Sequence, residues 1–134
     1  MKTIIELITD EIKNVFTECG YDEAYAKVTV SNRPDLCEFQ CNGAMAGAKV
    51  YHKAPIMIAN DVAEKLTDSA VFSEASAVAP GFLNLKVKDS FVCEYLKEMA
   101  AAEKFGVEPP EKKKTIVVDY GGPNVAKPLH VGHL

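Results

Sequence analysis

The chain has 134 residues, 48% of them hydrophobic and 25% charged, enough for one ordinary domain with a real core and too few for two large ones. Mean hydropathy is −0.04, and no apolar run approaches the roughly 20 residues that cross a bilayer, so a soluble chain without membrane contacts is expected. Net charge is −4, with 11 Lys/Arg against 17 Asp/Glu in residues 1–110, which excludes RNA binding through a broad basic face and leaves only local contacts.

Ile4, Ile5, Leu7, Ile8, Ile12, Val15 and Phe16 recur at three- and four-residue steps, which predicts an amphipathic helix ending near Gly20. Residues 26–30 (Ala-Lys-Val-Thr-Val) alternate as a half-buried strand does, and Ser31-Asn32-Arg33-Pro34-Asp35 is a dense turn signal. Residues 38–41 either open the next strand or lead into a helix. The small residues from Gly43 to Ala48 favour a tightly packed helix whose simplest N-cap is Asn42, and Pro55 suits the first turn of another reaching about Leu66. Residues 69–88 read as a hairpin turning at Pro80-Gly81, with Phe82, Asn84 and Lys86 on one face of its second strand and Leu83, Leu85 and Val87 on the other. The leucine face belongs in the core. Asp89 or Ser90 caps a last helix carrying Phe91, Val92, Tyr95, Leu96 and Met99.

Composition changes at Phe105. Pro109-Pro110 followed by Glu111-Lys112-Lys113-Lys114 resists helix and sheet alike, so residues 109–114 read as a linker. Thr115-Ile116-Val117-Val118 beyond it is the β-branched run of a strand buried on both faces, as in a parallel sheet. About twenty residues cannot build the rest of such a sheet, so 115–134 are expected to open a second domain. The fold expected is α+β: residues 1–108 form an antiparallel sheet of about four strands with helices on one face, then come the linker and the first strand of a truncated Rossmann-type domain.

The four cysteines are irregularly spaced, and Met1–Glu6 puts an acid where a secretory peptide needs an apolar core, so reduced thiols in a cytoplasmic protein are expected. Cys37 and Cys41 have three residues between them rather than the two of common zinc sites, and no second Cys/His pair follows at finger-like distance; no metal or prosthetic group is expected. They read as small buried thiols, and His52 as a surface imidazole.

The most specific string runs from Val118 to His133. A strand, a Gly/Pro loop and a helix start form the geometry that binds nucleotides at the carboxyl end of a parallel sheet, where free backbone N–H groups attract phosphate. His130 and His133 share one face of such a first turn and can donate to phosphate oxygens, and Gly132 leaves room for a base. The His-x-Gly-His pattern resembles the signature of class I aminoacyl-tRNA synthetases. The longer Pro123-Asn124-x-Ala126-Lys127-Pro128-x-His130-x-Gly132-His133, with Phe39–Ala44 and Pro80–Asn84 upstream, resembles the arginyl-tRNA synthetase family over the whole chain.

That resemblance implies a chain that is the N-terminal fragment of a monomeric ligase, with ATP and Mg, arginine and tRNA as substrates. Asn124 and His130 would contact arginine, and Lys127, His130, Gly132 and His133 would serve ATP. Asp119 stands where the family more familiarly has Glu for the guanidinium, and Gly121-Gly122 replaces its usual serine pair. Phe82 and Asn84 would meet an unstacked base of the tRNA D-loop, with Lys86 and Arg33 adding local charge. The 134 residues alone are expected to be inactive. Two other readings compete: a freestanding RNA-binding module without catalysis, and a small nucleotidyltransferase, which would place its His-x-Gly-His near the N-terminus after a Gly-x-Phe-Asp string that is missing here.

Overall fold

The computed structural model describes residues 1–122, 128 and 131. Helix α1 (Ile4–Glu18) begins at a capping box: the Thr3 hydroxyl accepts from Glu6 N, and the Glu6 carboxylate accepts from Thr3 N at 2.6 Å. It stops before Gly20, whose φ of +83° is the left-handed conformation that glycine adopts without steric cost. Ile8, Ile12, Val15 and Phe16 form its buried stripe, and each contributes about 1.5–3 kcal/mol by leaving water.

A short 3-10 turn at Glu23–Tyr25 leads into β1 (Val28–Val30), then β2 (Phe39–Cys41), α2 (Gly43–Tyr51) and α3 (Pro55–Lys65). The hairpin β3 (Phe72–Val78) and β4 (Phe82–Val87) follows, then α4 (Asp89–Ala101) and a second 3-10 turn at Glu103–Gly106. The sheet order is β1-β2-β4-β3, antiparallel throughout, so the hairpin inserts β4 beside β2. Register puts Cys41 opposite Leu83, Phe39 opposite Leu85 and Ala75 opposite Leu85, so these side chains share one face. Together with residues of α1, α2 and α3 they build the core, in which Leu85 and Val62 are fully enclosed. Phe91 and Val92 of α4 pack at its margin.

The expected α+β fold is therefore present, with local corrections. The first strand starts at Val28 rather than Ala26, because the preceding residues close the 3-10 turn. Helix α4 starts behind Lys88, and neither Asp89 nor Ser90 caps it. Asn42 occupies the N-cap position of α2 yet makes no capping bond there. The run 115–118, read as a strand, pairs with nothing among the described residues, and Val117 is 87% exposed. An apolar β-branched run becomes a strand only when paired with another strand, and the sheet pairs β1 to β4 with one another alone.

Candidate nucleic-acid interface

The face of the sheet opposite the core carries Thr29, Gln40, Asn84 and Ser76 as one row across all four strands, each directly opposite the next. One step along β4, Phe82 faces Val78, and one step the other way Lys86 faces Glu74. Helices α1, α2 and α3 occupy the other side, and Phe82 is half-buried without joining the core cluster. The alternation of β4 thus turns an aromatic ring, an amide and a cation outward while its leucines hold the domain together.

Gln40 Nε2 donates to Asn84 Oδ1 at 2.9 Å, a cross-strand pair that ties β2 to β4 on this face. Beside the pair lies a shallow depression of about 170 Å³ between the sheet and the β1–β2 loop, lined by Thr29, Arg33, Leu36, Gln40, Asn42 and Asn84 among others. Leu36 and Val30 on its rim are exposed. Asn42, which makes no capping bond, lines it instead. The sequence pointed to Phe82 and Asn84; the pairing of Gln40 with Asn84 was not legible there, because it depends on the register of two strands distant in the chain.

The two cations assigned to this face are already engaged. Arg33 donates through Nε and Nη2 to the two carboxylate oxygens of Asp35 at 3.0 and 2.7 Å, and Lys86 lies 3.0 Å from Glu74. Those partners raise the pKa of both cations and hold that of Asp35 below its ordinary range. The face is consequently near neutral, better suited to stacking and base-edge hydrogen bonds than to phosphate capture.

Of the residues expected at a nucleotide site, Asp119 is exposed in an irregular segment with Tyr120. Asn124, Lys127, His130, Gly132 and His133 lie outside the described residues. Cys37 and Cys41 are buried, and burial pushes the Cys41 thiol up, so it stays protonated and inert. His52 is exposed at the end of α2.

A four-stranded antiparallel sheet with helices on one face, and an aromatic ring and two amides on the other, defines an α+β domain. Residues 2–87 match the model of the arginyl tRNA synthetase N terminal domain, and residues 96–134 match that of the class I (R) tRNA synthetase catalytic domain; the chain belongs to the arginyl-tRNA synthetase family. It is 54% identical over 134 residues to an arginine–tRNA ligase of Alkaliphilus oremlandii and 56% identical over 135 residues to that of Agathobacter rectalis, covering 100% of this chain and 23% of each relative. The Francisella tularensis subsp. novicida ligase is 39% identical over 127 residues, covering 95% of this chain and 22% of the relative. The chain thus spans less than a quarter of the length of these relatives. The solved structure of Thermus thermophilus arginyl-tRNA synthetase superimposes with a TM-score of 0.58 at 22% identity, covering 98% of this chain and 21% of that one, which establishes the likeness of fold.

Proposed function

We propose that this chain is the N-terminal portion of an arginine–tRNA ligase, and that its first domain, residues 1–108, contacts the D-loop of the tRNA through the open face of the sheet. The observation that carries the reading is the outward trio of Phe82, Asn84 and Gln40 on a helix-free face. A ring to stack on and amides to read a base edge are what an unstacked base requires. The domain's negative charge, with Arg33 and Lys86 internally paired, makes phosphate contacts a minor contribution.

In the whole enzyme the arginine carboxylate attacks the α-phosphorus of ATP, pyrophosphate leaves, and a ribose hydroxyl of the tRNA then attacks the arginyl carbonyl and releases AMP. Such chemistry depends on positioning and on stabilising phosphate charge. His130, His133 and Lys127 supply donors and charge to ATP, Gly132 admits the adenine, Asn124 and His130 hold the amino acid, and Asp119 faces the guanidinium. Mg accompanies ATP as part of that substrate.

Aminoacylation kinetics of the full-length ligase carrying this segment test both halves. Phe82→Ala and Asn84→Ala are expected to raise KM for tRNA by the equivalent of about 1–3 kcal/mol while kcat at saturating tRNA holds. Unchanged KM in both variants overturns the interface. His130→Ala and His133→Ala are expected to lower kcat at saturating tRNA by the equivalent of about 2–4 kcal/mol each, and full turnover in both removes their assignment to ATP.

A further inference from the structure

Gln40 and Asn84 are held in one relative orientation. Because Asn84 accepts through Oδ1, its Nδ2 hydrogens remain to be used, and because Gln40 donates through Nε2, its Oε1 remains. Neither remaining atom has a protein partner among the described residues, whereas every buried polar side-chain atom described there has one. Both atoms are therefore open to solvent. They adjoin the depression between the sheet and the β1–β2 loop, where Asn42 also stands.

We propose that Gln40 is a positioning residue for base recognition. By occupying Asn84 Oδ1 it turns the Asn84 N–H₂ group outward, and its own Oε1 sets an acceptor beside that donor. This inference rests on the reading of the open face as a tRNA contact. A donor beside an acceptor matches an unpaired base edge that offers an acceptor beside a donor, such as N1 and N6 of adenine or O4 and N3 of uracil. It does not match a phosphate, which offers acceptors alone. Without Gln40 the Asn84 amide can turn either end outward, so it accepts either kind of edge and discrimination falls.

The test measures binding of the full-length ligase to tRNA transcripts carrying the native D-loop or one replaced D-loop base at a time. At the contacted position, replacement is expected to cost wild type about tenfold or more in affinity, the value of leaving one desolvated hydrogen-bonding group unpaired. Gln40→Leu should shrink that penalty to less than about threefold. Gln40→Glu, whose carboxylate accepts from Asn84 Nδ2 and draws the donor inward, should weaken native tRNA about tenfold. Nuclear magnetic resonance of the 134-residue chain gives an independent readout: the Gln40 side-chain amide signal should move in Asn84→Ala and hold in Asn84→Asp, which keeps the acceptor. If Gln40→Leu weakens every transcript equally and keeps the base penalty, Gln40 is structural and the proposal is overturned. A Gln40 amide signal unmoved in Asn84→Ala overturns it as well. Asn84→Ala with unchanged affinity and base preference instead defeats the open-face reading itself, a result distinct from failure of the Gln40 variants alone.

Discussion

Among the described glycines, Gly43 has the tightest steric surroundings. A Cβ built there would lie 1.7 Å from the carbonyl oxygen of Tyr25, which is backbone and cannot swing aside. The contact lets α2 start directly behind β2 and against the 3-10 turn, and so fixes where the rim of the open face ends. Gly43→Ala is expected to destabilise the fold by at least about 1–3 kcal/mol, the usual cost of overpacking, measured as a lowered denaturant midpoint. Gly121→Ala, with nothing within 4 Å of its added carbon, should leave the midpoint unchanged. Equal midpoints for Gly43→Ala and wild type would mean that α2 can retreat from Tyr25. The small-residue run of α2 was legible as close packing, but the particular neighbour was not, since Tyr25 belongs to a 3-10 turn that gives no periodic signal.

Elements announced themselves where a period and a terminator coincided. Helix α1 shows both, in its apolar stripe and in Gly20, and β4 shows a strict alternation whose two faces have the two fates expected of them. Asn42 misled because the residue type that caps helices is also one that lines polar depressions, and only the local φ/ψ decides between the uses. The run at 115–118 forms no strand among the described residues because strand formation is a property of pairs and no partner strand lies among them. For α1 the capping box makes a testable element. Thr3→Ala is expected to cost about 1 kcal/mol of stability. Bonding to Thr3 holds the Glu6 carboxyl below its ordinary range, so Glu6 stabilises the folded state fully above the unfolded glutamate value of about 4.3, and this contribution is lost as pH falls through the lower folded value. The gap in unfolding midpoint between wild type and Glu6→Gln should accordingly be flat above about pH 5 and close on acidification. A gap independent of pH down to 3 would show that the carboxylate charge plays no part in the cap.

At the scale of the whole chain, the hydrogen-bonded structure ends where the N-terminus meets it. The Met1 amine bonds Gly106 O at 3.3 Å and Glu108 Oε1 at 2.6 Å, while a tight turn with Lys104, Phe105 and Gly106 all at positive φ closes the segment after α4. Residues 107–122 are exposed throughout and contribute no helix or strand. The matched synthetase models divide differently, one ending at residue 87 and the other beginning at 96, so that the catalytic match starts inside α4, beyond Phe91 and Val92, which pack against the first domain's core. The packing argues for an autonomous unit that includes α4 and runs to about residue 108. A protease needs an extended, accessible stretch of backbone, and Glu111-Lys112-Lys113-Lys114 offers it, whereas Lys104 sits in a turn whose carbonyl is bonded to Val107 N. Brief trypsin treatment of the 134-residue chain should therefore cut first at Lys112–Lys114 and leave a core that unfolds with the same midpoint as the intact chain. A first cut within residues 40–90 would place the weakest point inside the sheet domain, and a trimmed core with a much lower midpoint would show that the segment after Pro110 supports the fold.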